Sequence, residues 1–253
     1  KTGALLFLSN VQMDELAQLA VDSHGSPDKK DAKAVLTKGN SIDLALFGRM
    51  IADSPDLNVD AAAQVAHALG VHTVVSEFDY FTAVDDHAPK DNAGAGMIGT
   101  VEFNSSTLYR YATVNVTALA KSLGSVKATG RAVEAFARAF ISSMPTGKQN
   151  TFANRTLPEF VLVTVRDSQP VNLAGAFEEA VDVRGSRVRE AASRLVAQAK
   201  GIDEAYGSNP LAAYAIVVGS DQSGVADIAE ITALPTLVAK LGEETRSRLG
   251  ESA

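Results

Sequence analysis

The chain has 253 residues, of which 46% are hydrophobic and 21% are charged, and it contains no cysteine. This composition excludes a wholly disordered chain, a disulfide-bonded scaffold and a zinc site built from thiolates. The formal net charge of −7 argues against a general nucleic-acid coat, which is typically basic. The sequence has no apolar run of about 18 residues, which argues against a membrane span.

Hydrophobic periodicity and capping residues place helices and strands along the chain. A spacing of three to four residues between apolar side chains predicts a helix, and strict alternation predicts a half-buried strand. In the first part of the chain these patterns predict, in order, a helix over 11–21 capped by Asn10, a helix over 42–51 capped by Ser41, an alanine-rich helix over 60–70 and a strand over 71–78.

A polar segment with repeated glycine and alanine, 85–98, interrupts two extended segments and is predicted to be the tip of a long hairpin-like projection. The remaining patterns predict a strand over 108–117, a helix over 131–144, a central strand over 160–165, helices over 173–183 and 188–199, a strand over 212–218 and a helical tail. The fold class predicted is α+β. Its middle part matches a ferredoxin-like unit without the first strand, an arrangement that in RNA-recognition modules presents one sheet face to single-stranded RNA.

No group of residues in the sequence predicts catalysis. Asp85, Asp86 and His87 form the densest polar cluster, but adjacent residues in one loop rarely converge on a single metal ion. Neither a phosphate-binding glycine motif nor a nucleophile motif is present. We therefore expect a binding or assembly protein, not an enzyme, with no metal and no cofactor.

Two features are candidates for a contact with nucleic acid. No acidic residue lies between Glu134 and Glu159, whereas three basic residues do, so this window is either an anion contact or an ordinary surface loop. Met97 and Ile98 are apolar residues at the predicted hairpin tip. They either pack against protein or form a wedge that inserts between bases.

Five segments, in this order and spacing, resemble the CasC-type backbone subunit of the type I-E CRISPR surveillance complex, Cascade, a member of the RAMP superfamily. The motif pair that is specific to this family is YFTAVDD followed by GT-EF-S---YRYA. The resemblance extends from about Asp43 to the end of the chain. The segments are SIDLALFGRM (41–50), AHALGVH (66–72), FDYFTAVDD (78–86), GTVEFNSSTLYRYATVNV (99–116) and PTGKQNTFA (145–153).

The resemblance implies a molecule shaped like a right hand. Residues 1–56 are expected to form helical fingers, and 57–170 a ferredoxin-like palm. A long β-hairpin-like thumb is expected at about 77–108, and helices and a strand over 171–253 are expected to pack on the palm. The family begins with a palm strand and a basic helix, and this sequence is expected to start after them.

The resemblance also implies a function. In the family, several copies polymerise along one CRISPR RNA for antiviral defence, and each thumb displaces one nucleotide at a regular interval. Members of the family do not cut nucleic acid themselves. Cutting is done by a separate helicase–nuclease that the complex recruits. The expected partners are CRISPR RNA, further copies of the chain, other Cascade subunits and, through pairing with the guide, target DNA. A membrane is not expected, and the expected location is cytoplasmic.

The residues that the resemblance assigns to RNA binding lie in three short segments. Met50 and Ile98 are expected to bracket the displaced nucleotide. The loop 148–150 is expected to contact phosphates, which positions RNA without reading its sequence. The assigned residues are Arg49, Met50, Met97, Ile98, Lys148, Gln149 and Asn150.

Two other functions are alternatives to this one. Related backbone subunits of other CRISPR types cut RNA with a thumb aspartate, so the chain could be a metal-dependent ribonuclease that uses Asp85 or Asp86. A ferredoxin-like protein-interaction domain that binds no nucleic acid is the other alternative.

Overall fold

The computed structural model describes residues 5–83, 87, 97–219 and 224–250 of the chain. It divides into two compact units. The first unit comprises Lys1–Ala66, Tyr111–Pro170 and Asn209–Ala253, and the second comprises His67–Arg110 and Val171–Ser208. The chain therefore leaves the first unit twice and returns to it each time.

Helices and strands are mixed along the chain, which confirms the predicted α+β class. The described helices are α1 (Asn10–Asp22), α2 (Lys29–Leu36), α3 (Ile42–Phe47), α4 (Val116–Leu123), α5 (Val126–Ser142), α6 (Gln149–Phe152), α7 (Arg187–Tyr206) and α8 (Leu234–Arg248). The described strands are β1 (Ala63–Val65), β2 (Leu69–Gly70), β3 (Glu77–Ala83), β4 (Met97–Phe103), β5 (Leu108–Tyr109), β6 (Ala112–Val114), β7 (Phe160–Val165), β8 (Ala212–Val217) and β9 (Glu230–Ile231). Short 3₁₀ turns cover Pro55–Leu57 and Ala174–Phe177.

The described strands form small sheets. β1 pairs with β6, β2 with β5 and β3 with β4, all antiparallel. The remaining sheet has the order β7-β8-β9, with β8 antiparallel to β7 and parallel to β9. Segment 160–165 is therefore a strand as predicted, but β8 and not β7 takes the central position in this sheet.

The core of the first unit lies between its longer helices and β7 and β8. Buried apolar side chains on α3, α4, α5 and α8 meet the inner face of β8, where Tyr214 is buried. The helix predicted over 131–144 is confirmed, although it begins earlier, at Val126, because the Ser125 hydroxyl accepts the N–H of Ala128 at 3.2 Å. The apolar stripe of α5 faces this core.

The N-terminal helices differ from the prediction at their ends. The N-cap of α1 is Ser9 and not Asn10, because Ser9 and Gln12 exchange two hydrogen bonds as a capping box. The second predicted helix begins after Ser41 but ends at Phe47. Gly48 ends it with a φ of 76°, a conformation that favours glycine.

The alanine-rich segment 60–70 is not the predicted helix. It contains β1 and β2, and Ala62 and Ala63 are buried in the core of the first unit. The N–H of Ala66 donates to the carbonyl of Tyr111 at 3.0 Å, so the partner strand supplies the backbone hydrogen bonds that a helix would have made internally. Tertiary pairing overrides the high helix propensity of alanine here.

Three further segments differ in the structure from their predicted ranges. The strand predicted over 71–78 begins only at Glu77, and the strand predicted over 108–117 is reduced to β5 and β6 because Asn115 caps α4. The helix predicted over 173–183 is only a 3₁₀ turn. The helix over 188–199 and the strand over 212–218 are confirmed within α7 and β8.

The second unit has a smaller core of Val71, Val181 and Ala191, with Tyr109 and Phe177 packed against it. The rings of Tyr109 and Phe177 lie 5.2 Å apart between centroids. Strands β3 and β4 belong to this unit. None of the described helices combines the length and the apolar character that crossing a bilayer requires.

Candidate nucleic-acid interface

Met50 lies on a fixed backbone with its side chain exposed. Its neighbour Arg49 forms an antiparallel bridge with Val59, in which both N–H···O distances are 2.9 Å. On its other side, the N–H of Ile51 donates to Oδ1 of Asn58 at 2.6 Å. The Met50 side chain is nevertheless 81% exposed, so it is held at the surface by its neighbours and not by packing of its own.

Glycine is required just before this segment. A β-carbon at Gly48 would lie 2.6 Å from the carbonyl oxygen of Val59 and 2.9 Å from the nitrogen of Ala61. The segments 47–50 and 58–61 approach each other closely, and between them lies a shallow cavity with a volume of about 360 Å³. Its lining residues are Phe47, Gly48, Arg49, Met50, Asn58, Val59, Asp60 and Ala61.

The Arg49 side chain is directed into the first unit. It is buried, and its five N–H groups donate to the carbonyls of Phe7, Leu36 and Leu57 and to Oε1 of Gln12. Burial lowers the pKa of the guanidinium below its usual value. Because every side-chain N–H is already donated, the guanidinium has none left for the RNA contact that the resemblance implies for Arg49.

The loop 148–150 is a strained, exposed turn. Lys148 has a φ of 59°, in the left-handed region, and Ala153 at the other end of α6 has a φ of 47°. Lys148 and Asn150 are exposed, whereas Gln149 is half-buried. Oε1 of Gln149 accepts a hydrogen bond from Arg155 at 2.6 Å, which places two basic residues and two amides on one short segment.

Met97 and Ile98 lie on a two-stranded ribbon formed by β3 and β4. Met97 is opposite Ala83 and Ile98 is opposite Thr82. The two side chains are 54% and 72% exposed. Since successive residues of a strand point to opposite faces, Met97 and Ile98 lie on opposite faces of this ribbon.

The ribbon also carries exposed aromatic residues that sequence reasoning did not single out. Phe78 and Tyr80 are largely exposed and share the face of Ile98, and Phe81 shares the face of Met97. The Phe81 ring lies over Gly99, where a β-carbon would be 2.5 Å from the ring. Alternation of polar and aromatic residues over 77–80 is the signal that could have identified Phe78 and Tyr80, whereas Phe81 breaks this alternation.

The predicted site residues fall in both units. Arg49, Met50 and the loop 148–150 belong to the first unit, and Met97 and Ile98 belong to the second. Asp85 and Asp86, the residues of the ribonuclease alternative, lie outside the described residues. Within the described ranges, no group of three or more His, Asp or Glu side chains is arranged to hold a metal ion.

Comparisons with known proteins give a consistent result. Residues 1–240 match the model of the CT1975-like protein family. The chain is similar to a chain from a solved structure described as "CRISPR RNA-guided surveillance complex, pre-nicking". The two are 32% identical with a TM-score of 0.86, and the match covers 96% of this chain and 70% of the other.

A second similar chain comes from a structure described as "CRISPR RNA-guided surveillance complex". It is 30% identical with a TM-score of 0.72, and the match covers 94% of this chain and 86% of that one. A comparison with curated proteins finds no match.

Proposed function

This chain belongs to the CT1975-like protein family, and from that membership we propose that it is a non-catalytic backbone subunit of a Cascade-type CRISPR surveillance complex. The similar chains in two solved surveillance complexes support this function. In the proposal, copies of the chain assemble along one CRISPR RNA together with other Cascade subunits. Target DNA is recognised by base pairing with the guide and not by protein side chains.

One structural observation carries the RNA-binding part of the proposal. Met50 and Ile98, the residues expected to bracket a displaced nucleotide, are both exposed although both are apolar. Water is an unfavourable environment for such side chains, so a partner that covers them gains binding free energy. An apolar side chain can insert between bases and unstack them, which fits a nucleotide displaced at each subunit.

The loop 148–150 supplies the phosphate contact in this proposal. Lys148 and Asn150 are exposed, and the window from Glu134 to Glu159 contains no acid between its ends. Contacts to phosphate position an RNA without reading its sequence. A backbone subunit needs such contacts, because it must accept any guide.

The hand-like organisation is part of the same proposal. The ribbon of β3 and β4 corresponds to the thumb at about 77–108, the helices of 1–56 to the fingers, 57–170 to a ferredoxin-like palm, and 171–253 to the C-terminal helices and strand. The exposed ribbon supports the assignment of the thumb, since an element that closes over a ligand needs accessible faces.

RNA binding by the purified chain tests this function. We expect single-stranded RNAs of unrelated sequence to bind with similar affinity, and the affinity to fall as salt rises. The double variant Met50→Asp/Ile98→Asp should weaken binding by more than about tenfold, because two charges would be placed against bases. The matched control is Met13→Asp/Val75→Asp, which changes one exposed apolar residue in each unit outside the proposed interface.

Three outcomes would contradict the proposal. An unchanged affinity in the Met50→Asp/Ile98→Asp variant removes the bracketing role of these residues. No binding even at low salt favours the protein-interaction alternative. Cleavage of RNA that requires Mg²⁺ and is lost in Asp85→Ala or Asp86→Ala shows a ribonuclease and not a passive scaffold.

A further inference from the structure

The buried guanidinium of Arg49 joins four segments of the first unit. Its donors reach acceptors before α1, within α1, at the end of α2 and at the end of the turn Pro55–Leu57, at 2.9 to 3.3 Å. Two of these acceptors, the carbonyls of Leu36 and Leu57, are at the C-terminal ends of helical segments. Such ends carry partial negative charge, so they stabilise a buried cation.

Gln12 completes this network, and it shares the Leu36 carbonyl with Arg49 as an acceptor. It is fully buried, and its Nε2 donates to the carbonyls of Leu36 and Lys38 at 3.2 and 2.6 Å. Its Oε1 accepts from the backbone of Ser9 and from Arg49. Because both polar ends of Gln12 and all donors of Arg49 are satisfied, the network restricts the motion of every segment that it joins.

The network ends one residue from the exposed Met50. The backbone of Arg49 is held by the bridge to Val59, and its side chain is held by the buried network. An exposed side chain on a fixed backbone has less conformational freedom to lose when a ligand binds, and the affinity is higher for that reason.

We propose that Arg49 is a positioning residue: the buried Arg49–Gln12 network fixes the backbone on the N-terminal side of Met50, the Asn58 hydrogen bond to Ile51 holds the other side, and the Met50 side chain is thereby presented to RNA. This inference rests on the proposed RNA contact of Met50. In this inference, Arg49 increases RNA affinity through Met50 and does not itself contact RNA.

Methionine methyl groups report directly on this role. The chain has four methionines, Met13, Met50, Met97 and Met144, so ¹³C-methyl labelling gives four NMR signals, which single substitutions assign. Arg49→Lys keeps the charge but loses the planar fork of donors. We expect its Met50 signal to shift and narrow, the Met97 signal to stay in place, and RNA affinity to fall roughly fivefold. Arg189→Lys, an exposed change on α7, is the control and should alter neither quantity.

A double-mutant cycle separates positioning from a direct effect. If Arg49 acts through Met50, then Arg49→Lys adds no further loss of RNA affinity in a Met50→Ala background. Additive losses overturn the positioning role, as does a folded Arg49→Lys variant with an unchanged Met50 signal. If Met50→Ala alone leaves RNA affinity unchanged, the proposed contact of Met50 fails, and the inference falls with it. The shift of the Met50 signal distinguishes these two failures.

A second variant covers the case in which Arg49→Lys does not fold. Asn58→Ala removes the acceptor for the Ile51 N–H from an exposed position and leaves the buried network intact. We expect it to shift the same Met50 signal and to lower RNA affinity. A Met50 signal that shifts while the RNA affinity stays unchanged would show that a fixed backbone around Met50 is irrelevant to binding, and an unchanged signal would show that the Asn58 hydrogen bond does not fix that backbone.

Discussion

Lys148, the residue just before α6, has a left-handed backbone conformation, and its side chain is exposed. A residue with a β-carbon pays about 1 kcal/mol or more for this conformation. Asn and Gly adopt it more readily than Lys does. A basic residue that occupies a position favouring Asn or Gly is most simply explained if its charge is used.

We expect Lys148→Ala to weaken binding equally for RNAs of different sequence. Alanine carries the same β-carbon and so keeps the backbone cost, which means that the loss reflects the missing charge. The slope of log affinity against log salt should decrease by about 0.7, the value for one phosphate contact on a single strand. Lys127→Ala, an exposed change on α5, should leave the slope as it is. Equal slopes for both variants would exclude a phosphate contact by Lys148.

At the scale of an element, the ribbon of β3 and β4 has two chemically different faces. One face carries Phe78, Tyr80 and Ile98, and the other carries Phe81 and Met97. Adjacent residues on one strand are therefore not equivalent, although they are neighbours in the sequence and both are exposed.

This difference predicts which substitutions on the ribbon matter. If Ile98 contacts the displaced nucleotide, then Ile98→Asp and Tyr80→Ser should both weaken RNA binding, because the two side chains share a face. Met97→Asp should have a clearly smaller effect. Filter-binding or fluorescence-anisotropy titrations of the three variants measure this. Equal losses for Met97→Asp and Ile98→Asp would show that the nucleotide contacts the ribbon tip without regard to its faces.

Helices and strands with a strong pattern of apolar residues could be predicted from the sequence. Strands that form only by pairing with a segment far along the chain could not. The stripe of α5 and the continuous apolar run of β7 are local signals, and both are present as expected. The segment 60–70 has helix-favouring composition, yet it pairs with a strand almost 50 residues further along the chain. No local pattern reveals that partner.

In the candidate site, too, features with a local sequence signal could be predicted, whereas features set by contacts between distant segments could not. The exposure of Ile98 agrees with an apolar residue placed in a polar context, which the sequence shows, whereas Met50 falls within the helix predicted over 42–51, which ends at Phe47. The inward direction of Arg49 depends on the carbonyl groups of three separate segments and on Gln12, which lies 37 residues away in the chain. Sequence alone could not distinguish this buried cation from one that binds RNA.

At the scale of the whole molecule, a cluster of titratable groups predicts a loss of stability at high pH. The Tyr214 hydroxyl is 3.4 Å from Glu244, and Lys240 pairs with Glu230 at 2.6 Å. Burial, with the nearby carboxylate of Glu244, raises the pKa of Tyr214, and the hydrogen bond to Glu230 raises the pKa of Lys240. Both groups bind their protons more tightly in the folded chain than in the unfolded chain.

The resulting stabilisation is complete below the unfolded pKa values, which are near 10, and it is lost as pH rises through the higher folded values. Urea unfolding should therefore show a falling free energy of unfolding above about pH 10. Tyr214→Phe should make this decline shallower, whereas Tyr206→Phe, at an exposed position on α7, should leave it unchanged. A decline of the same steepness in both variants would show that Tyr214 does not contribute.

Every residue of β3 is exposed to solvent, and this has a consequence for how the protein can evolve. Substitutions at such positions change folding stability little, because almost no packing is lost. Selection on the ribbon therefore acts mainly through what it binds, and a lineage can alter its side chains without endangering either unit. Gly99 on β4 is coupled to this freedom, since the Phe81 ring occupies the space of a β-carbon there. We expect drift along β3 to be broad, and a larger residue at Gly99 to accompany a change at Phe81.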